Sequence, residues 1–187
     1  HRDLHSFPTR RSSDLEQAYN AQAVVDADGS QLVLGAFVIA TPSDANQLEP
    51  AVGSVDKSVG AVQRVLADGG YVNSTAFRRL EHDVELYVAI ADGEYNERQY
   101  DFRPPKPRTP KHITDPGLVA MRAKLSTDEG RAIYRKRAKT VEPVFGTIKG
   151  ALHFRQFLLR GLSKVQNEWR LVCLAYNAKR IWSLTNG

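Results

Sequence analysis

The sequence lacks the features that mark membrane, disulfide-rich and disordered proteins. Its one cysteine, Cys173, excludes an intramolecular disulfide and a cysteine-based zinc site. The longest apolar run, Gln31–Ile39, is the size of a strand and far below the roughly 18–20 residues that a membrane-spanning helix needs. Hydrophobic residues make up 42% of the chain, which argues against wholesale disorder. We therefore expect a soluble cytoplasmic protein with Cys173 in its core and no membrane partner.

Acidic residues are fewer than basic ones, 21 against 26, which gives a net charge of +5. The excess lies in two runs that contain no acid, Arg103–Lys111 and Arg131–Lys139. Runs of this kind attract phosphate backbones, although a solvated charged face explains either run equally well. Charge alone therefore leaves nucleic-acid binding open.

The first fifteen residues, His1 to Leu15, show neither helical nor strand periodicity. They resemble the conceptual translation of a sequencing adapter, so we set them aside as a non-native, disordered leader. The alternative is a natural basic arm that contacts DNA. We expect one domain over residues 16–187.

Strand and helix signals alternate from Glu16 to Ala91. Two β-rich runs, Tyr19–Asp26 and Gln31–Thr41, flank an Asp28-Gly29 pair and predict an antiparallel hairpin. The later elements are a helix capped by Asp44 and ending near Gly60, a strand over Val62–Ala67, a short helix capped by Asn73 or Ser74, and a strand over Val84–Ala91. This order predicts an α/β fold in which helices pack on a mixed sheet.

The second half of the chain is expected to be helical after a proline-rich loop over Asp92–Gly117. A capping box at Ser126–Glu129 predicts a helix that runs toward Lys149, with a kink or a new start at Pro143. A final helix follows a second capping box at Ser163–Gln166. Three aromatic residues of this segment could either pack in the core or stack on nucleic-acid bases. We favour core packing for all three: Trp169, Tyr176 and Trp182.

Two carboxylates stand out as candidates for chemistry. Asp68 follows a strand and precedes two glycines, a position where open α/β sheets bind ligands, although many Asp-Gly pairs only form turns. Glu142 lies among apolar neighbours and therefore needs a cation or a hydrogen-bond donor, and the alternative is an exposed acid paired with Lys139 or Lys149.

Several ordered motifs resemble those of the DDE transposases of bacterial insertion sequences. The matching motifs are Tyr19-Asn20-Ala21-Gln22, Ala67-Asp68-Gly69-Gly70-Tyr71 and Val141-Glu142-Pro143-Val144-Phe145-Gly146, with further likeness over 154–162 and 169–177. The resemblance implies an RNase H-like mixed sheet with flanking helices and a helical C-terminal end. It further implies that three carboxylates hold two Mg²⁺ or Mn²⁺ ions and that the intact protein cleaves and transfers DNA strands.

The resemblance assigns Asp68 as the second acid and Glu142 as the third, both as catalytic metal ligands. The family's Tyr-Arg-Glu-Lys signature implies that Tyr134, Arg137 and Lys149 contact DNA, although four residues rather than three separate Arg137 from Glu142. The partners so implied are transposon-end and target DNA, with a homodimer in the assembled complex and localisation at the nucleoid.

The family's first acid has no matching motif before Glu16, so we expect the first strand to be missing and this chain not to cleave DNA. Losing that strand would also expose a sheet edge, which favours aggregation. Two other functions stay open: a catalytically dead remnant that only binds nucleic acid, and an RNase H-like nuclease unrelated to transposition. Binding of divalent metal ions would distinguish a catalytically dead remnant from an active transposase domain.

Overall fold

The computed structural model of the chain describes residues 19–90 and 113–186. The expected leader, His1 to Leu15, and the basic run Arg103–Lys111 lie outside the described residues. The described residues combine short strands with helices, which confirms the expected α/β class.

The first two strands form the predicted antiparallel hairpin. Strand β1 (Asn20–Val25) pairs with β2 (Val33–Ile39), and the register shifts at Val24/Val25. In the connecting turn the carboxylate of Asp26 accepts hydrogen bonds from the backbone N–H of Ser30 at 3.0 Å and from its hydroxyl at 2.5 Å. The side chain thus holds the turn closed, as acidic residues often do there.

The next two strands form a separate parallel pair. Strand β3 (Arg64–Ala67) lies beside β4 (Glu85–Val88) in register from Arg64 opposite Glu85 to Ala67 opposite Val88. Within residues 19–90 and 113–186 the strands therefore form two two-stranded sheets. The single mixed sheet expected from the sequence is not formed there.

Helices fill the rest of the described chain. The α-helices are α1 (Leu48–Gly53), α2 (Ser74–Leu80), α3 (Pro116–Ser126), α4 (Asp128–Tyr134), α5 (Val141–Gly150) and α6 (Leu162–Asn186), and short 3₁₀ helices cover Lys57–Val59, Gly69–Tyr71 and Arg135–Lys139. As expected, the side chain of Asn73 caps α2, accepting from the backbone N–H of Thr75 at 2.9 Å.

The helix expected to follow Asp44 is shorter than its apolar periodicity indicates. Helix α1 ends at Gly53, and its N-cap is Gln47, whose side chain makes no capping bond. Asp44 does not cap the helix because its carboxylate accepts hydrogen bonds from the side-chain amides of Asn20 and Gln22. Long-range hydrogen bonds have here replaced a local cap.

The single helix expected between Ser126 and Lys149 is divided. Ser126 ends α3, and the cap belongs to Thr127, whose hydroxyl accepts from the backbone N–H of Gly130 at 3.0 Å. A 3₁₀ segment separates α4 from α5. The new helix start expected at Pro143 is confirmed, since a proline in the first turn has no N–H to leave unpaired.

Two apolar clusters form the core. Cluster 1 joins the β1–β2 hairpin to α5 and α6, and cluster 2 joins β3 and β4 to α1, α2 and α3. In cluster 1 the rings of Phe145 and Trp169 stack with centroids 5.7 Å apart, and Trp169 is fully buried. The expected core positions of Trp169 and Tyr176 are confirmed, but the core assignment of Trp182 is wrong, because 68% of it is exposed.

The cysteine is a core residue, as expected. Cys173 is 4% exposed in cluster 1, and burial raises the pKa of its thiol to about 12. The described part of the chain contains no helix with the length and apolar character of a membrane-spanning segment.

Candidate functional site

Asp68 lies where β3 ends. Its backbone is extended, and its carboxylate accepts a hydrogen bond from the N–H of Gly70 at 2.9 Å, which caps the following 3₁₀ turn. A Cβ placed on Gly70 would lie 3.0 Å from Asp68 Oδ1 and 3.4 Å from Asp44 Oδ2. The two carboxylates therefore flank one glycine, and a side chain at that position would crowd both.

A buried polar network fixes Asp44 beside Asp68. Asp44 Oδ1 accepts from Asn20 Nδ2 at 2.7 Å and from Gln22 Nε2 at 2.8 Å, and the Tyr71 hydroxyl donates to Gln22 Oε1. Asn20 and Gln22 are 3% and 2% exposed. Burial raises the pKa of Tyr71, and the charges of Asp44 and Asp68 raise it further. The network thus holds Tyr71 as a hydrogen-bond donor.

This network gives a structural role to residues of two sequence motifs. Asn20 and Gln22 belong to the Tyr-Asn-Ala-Gln motif of β1, and Tyr71 ends the Ala-Asp-Gly-Gly-Tyr motif that follows β3. The carboxylate of Asp44 accepts hydrogen bonds from both amides. Sequence reasoning missed Asp44 as part of the site because its acidic side chain before a helix was interpreted as a cap. The available signal was the pair of amides at alternate positions of β1, which face the same side of a strand and need a buried acceptor.

Glu142, Arg137 and Tyr134 form a second group at the start of α5. Arg137 Nη2 lies 3.8 Å from Glu142 Oε1, and the guanidinium carbon lies 5.9 Å from the centroid of the Tyr134 ring. Burial is the main cause of a raised pKa at Tyr134, the charge of Asp68 raises it further, and Arg137 opposes both. Tyr134 is therefore close enough to sense both Asp68 and Arg137.

One cavity connects the two groups. It has a volume of about 450 Å³, and Asp68 and Arg137 both line it, together with Tyr71. Glu142 does not line the cavity but forms an ion pair with Arg137, which does. Lys149 lies in the last turn of α5, seven positions after Glu142. The structure thus brings four of the five sequence-predicted residues into one region and leaves Lys149 two helical turns away.

The oxygen donors at this site suit a hard divalent cation. Carboxylates are the ligands that Mg²⁺ and Mn²⁺ prefer, and Asp68 and Asp44 present two of them around Gly70. Within residues 19–90 and 113–186, however, no group of three or more His, Cys, Asp or Glu side chains is arranged to hold a metal ion. The two carboxylates beside Gly70 thus have the donor chemistry of a divalent-cation ligand, without a third such side chain among the described residues.

The second basic run lies on the surface next to this site. Four of its five cations are exposed, and Arg137 is half-buried. Arg131 pairs with Asp128 at 2.6 Å and Lys136 with Asp28 at 3.6 Å, between side chains that are at least half exposed. Such exposed pairs contribute little stability, so they leave these cations able to contact a phosphate.

Part of the chain is similar to a known protein family. Residues 108–182 match the family model described as the transposase DDE domain. The match contains Tyr134, Arg137, Glu142 and Lys149, whereas Asp68 and the β1 motif precede it. No curated protein matches the chain. No solved structure matches it either.

Proposed function

Because residues 108–182 match the family model described as the transposase DDE domain, we propose that the chain belongs to this family and carries residues of an RNase H-like catalytic domain that cleaves and transfers DNA strands. The observation that supports this most is the cavity that Asp68 shares with Arg137, the ion-pair partner of Glu142. It brings together side chains from two motifs that are separated by more than sixty residues in the sequence.

Asp68 and Glu142 are proposed as the metal ligands. They would hold a pair of Mg²⁺ or Mn²⁺ ions, whose positive charge would polarise the phosphodiester and stabilise the attacking and leaving oxygens. In this chain, Gly70 orients the Asp68 carboxylate through its N–H, and Arg137 holds Glu142 at the start of α5. The Tyr134 phenol keeps its proton, because burial and the charge of Asp68 raise its pKa, and it can donate to a phosphate oxygen.

Metal binding tests this assignment. Titration of the chain with Mn²⁺, followed by electron paramagnetic resonance, is expected to show binding that weakens at least about tenfold in Asp68→Asn, which removes one ligand charge. The matched control is Asp56→Asn, since Asp56 caps the 3₁₀ turn Lys57–Val59 and does not line the cavity. Equal losses in both variants, or unchanged binding in Asp68→Asn, would contradict the assignment.

DNA binding is proposed to rest on the exposed basic run and Lys149. Counterion release makes such binding fall steeply with salt, and each lost phosphate contact lowers the slope of log K against log salt by about 0.9. We expect Arg135→Gln to lower this slope, whereas Lys57→Gln, an exposed cation on the 3₁₀ turn before β3, leaves it unchanged. An affinity that does not change with salt, or an equal slope for Arg135→Gln and the unmodified chain, would overturn the proposal.

The remaining expectations stay proposals. We propose that the protein acts on its own element's ends and on target DNA as a homodimer. Incubation with element-end DNA and Mg²⁺ or Mn²⁺ tests strand cleavage. Nicking that Asp68→Ala abolishes would support the proposed site, and nicking that Asp68→Ala leaves unchanged would contradict it.

A further inference from the structure

Helix α6 has two apolar faces, and the inner one packs on the rest of the chain. Its buried residues belong to cluster 1. Polar side chains beside them bond the β1–β2 hairpin: Asn177 donates to the carbonyl of Val33 at 2.8 Å, and Arg180 donates from Nε to the carbonyl of Ser30 at 2.7 Å. The inner face therefore holds α6 on the hairpin.

The outer face of α6 is also apolar, yet it is exposed. Of the ten large apolar side chains that are exposed in the described part of the chain, eight lie within residues 158–184. Four of these eight lie on one side of α6 with two exposed alanines between them, and we call these six residues the outer seam: Leu171, Leu174, Ala175, Ala178, Ile181 and Trp182. Exposed apolar patches of this kind mark interaction sites.

Helical geometry places the outer seam opposite the hairpin and away from charge. Successive residues of an α-helix lie about 100° apart, so residues three, four and seven positions apart share a face. Ala178 lies two positions after the buried Tyr176 and therefore points about 160° away from it. Of the charged neighbours, Lys179 lies about 100° from Ala178, and Arg180 bonds the hairpin. The seam is thus uncharged along its length.

The positions of the outer seam are symmetric about Ala178. Leu174 and Trp182 lie four positions before and after it, and Ala175 and Ile181 lie three positions before and after it. A two-fold axis at Ala178 therefore brings the seam of a second copy into register when the two helices run antiparallel. A two-fold interface requires a surface that is complementary to itself in this way.

Side-chain sizes are complementary in this register. The small Ala175 faces the branched Ile181 of the partner subunit, and Leu174 faces Trp182 of the partner subunit. At the axis Ala178 faces its own copy, where a single methyl group lets the two backbones approach closely. Large side chains that fill the space beside small ones are what pack two helices together.

The exposed area of the outer seam suits a small, specific interface. Its six side chains present about 100 Å² each on average, so two copies would bury on the order of 1,200 Å², the lower limit for specific protein–protein interfaces. The cores of such interfaces are depleted of charged residues, as the seam is. A second copy of the chain therefore fits the seam in register, size and polarity.

We propose that the outer seam is a homodimer interface, in which α6 packs antiparallel against α6 of a second copy around a two-fold axis at Ala178. This inference rests on the homodimer of the proposed function and assigns its contact surface. It needs neither metal nor DNA, so it can fail while the assignment of Asp68 and Glu142 as metal ligands stands.

Analytical ultracentrifugation of the full 187-residue chain tests the interface. We expect a reversible dimer with a Kd roughly in the micromolar range, which suits an interface of this size. Leu174→Lys is expected to weaken the dimer at least about tenfold, because association would remove water from the new charge. The matched control is Val119→Lys, at an exposed apolar residue of α3, which should leave the dimer unchanged.

Two results of this measurement would overturn the proposal. A chain that stays monomeric up to about 100 μM has no such interface. A dimer that Leu174→Lys weakens no more than Val119→Lys does uses another surface, and the homodimer of the proposed function would then stand without the outer seam.

Cysteine crosslinking tests the antiparallel register. Ala178→Cys should form a disulfide with its own copy under mild oxidation, because the axis brings the two Cα atoms within the roughly 7 Å that a disulfide allows. Leu171→Cys should not, since its own copy lies about 21 Å away along the helix axis. The native Cys173 is buried and should stay unlinked in the unmodified chain. Equal crosslinking of the two variants would overturn the register.

Fluorescence quenching shows which molecule covers the outer seam. Trp169 is buried and 68% of Trp182 is exposed, so quenching by acrylamide reports mainly on Trp182. We expect Trp182 to become shielded as the chain concentration rises through the Kd, and to stay accessible in Leu174→Lys. Shielding at every concentration in a monomer would assign the seam to another segment of this chain and would refute the proposal.

Discussion

At the residue scale, the most informative side chains are those whose charge or amide has an identified partner. Asp44 satisfies two buried amides, Asn20 and Gln22, which would each cost roughly 1–3 kcal/mol if left without an acceptor. Arg137 in turn gives Glu142 the cation that its apolar neighbours require, as the sequence indicated. The residue types of the motifs thus follow from hydrogen-bonding needs that are visible in the fold.

Glu85 shows how a single carboxylate links stability to pH. The hydroxyl of Tyr87 at 2.7 Å, Arg64 at 2.8 Å and Lys124 at 3.1 Å lower the pKa of Glu85 from its usual 4.5 to about 2. A group whose folded-state pKa is depressed stabilises the fold above its unfolded pKa and loses that contribution as pH falls toward its folded pKa.

We therefore expect Glu85→Gln to flatten the loss of stability between about pH 4.5 and pH 2. Urea unfolding measured at several pH values checks this. Because 42% of the Glu85 side chain is exposed to solvent, which screens its charge, we expect the effect at neutral pH to be small. The matched control is Glu81→Gln, at an exposed acid in the turn between α2 and β4. If the free energy of unfolding falls by the same amount between pH 4.5 and pH 2 in Glu85→Gln and in the unmodified chain, Glu85 does not link stability to pH.

At the scale of elements, the junction between α3 and α4 depends on a glycine. A Cβ at Gly130 would collide with the backbone carbonyl of Lys124, which already accepts the Thr127 hydroxyl at 2.7 Å. Since that carbonyl is fixed by the cap, it cannot move aside easily. In α5, by contrast, a Cβ at Gly146 would meet nothing within 4 Å.

These two helical glycines form a matched pair. Gly→Ala in a helix gains about 0.5–1 kcal/mol from backbone entropy, whereas overpacking costs typically 1–3 kcal/mol. We expect Gly130→Ala to lower the free energy of unfolding by roughly 1–2 kcal/mol and Gly146→Ala to raise it by up to about 1 kcal/mol. Urea unfolding curves measure both. A stabilised Gly130→Ala variant would show that the junction is looser than the structure indicates.

The elements also show what the sequence could and could not predict. The hairpin and the Asn73 cap were predictable because their signals are local: a turn pair between alternating strands and an amide before a helix. The late start of α1 at Leu48 was not, since Asp44 accepts hydrogen bonds from the amides of Asn20 and Gln22, more than twenty residues away. Capping rules alone do not predict that Thr127 rather than Ser126 caps α4. They also do not predict the short 3₁₀ segment Arg135–Lys139 that separates α4 from α5.

For the whole molecule, the sequence indicated candidate residues for the site but not their arrangement. Asp68 and Glu142 stand out as candidates because of their motifs, and Arg137 because of its order in the Tyr-Arg-Glu-Lys signature. That Arg137 shares a cavity with Asp68 depends on the packing of α4 and α5 beside β3, which no local pattern encodes. The division into two sheets could not be predicted either, because a local sequence pattern predicts a strand but not the strand with which it pairs.

The two apolar clusters, joined across a cavity rather than by strand pairing, are expected to differ in stability. Cluster 1 contains the stacked Phe145 and Trp169, and α6 bonds directly to β2 through Gln166 and Asn177. Cluster 2 has no comparable long helix among the described residues. Regions with fewer buried contacts open at lower free energy and exchange their amide hydrogens faster.

We therefore expect the amides of β2 and of residues 165–176 in α6 to exchange most slowly, and those of β3 and β4 to exchange faster. Hydrogen exchange followed by mass spectrometry at increasing urea measures this, with each cluster read from its own peptides. The variant Trp169→Phe, which loses the hydrogen bond that the indole N–H donates to the carbonyl of Gln22 at 2.8 Å, should speed exchange in cluster 1 more than in cluster 2. One exchange free energy common to both clusters, lowered equally by that variant, would show instead that the Tyr71–Gln22 and Asp44 hydrogen bonds already couple the two sheets into a single cooperative unit.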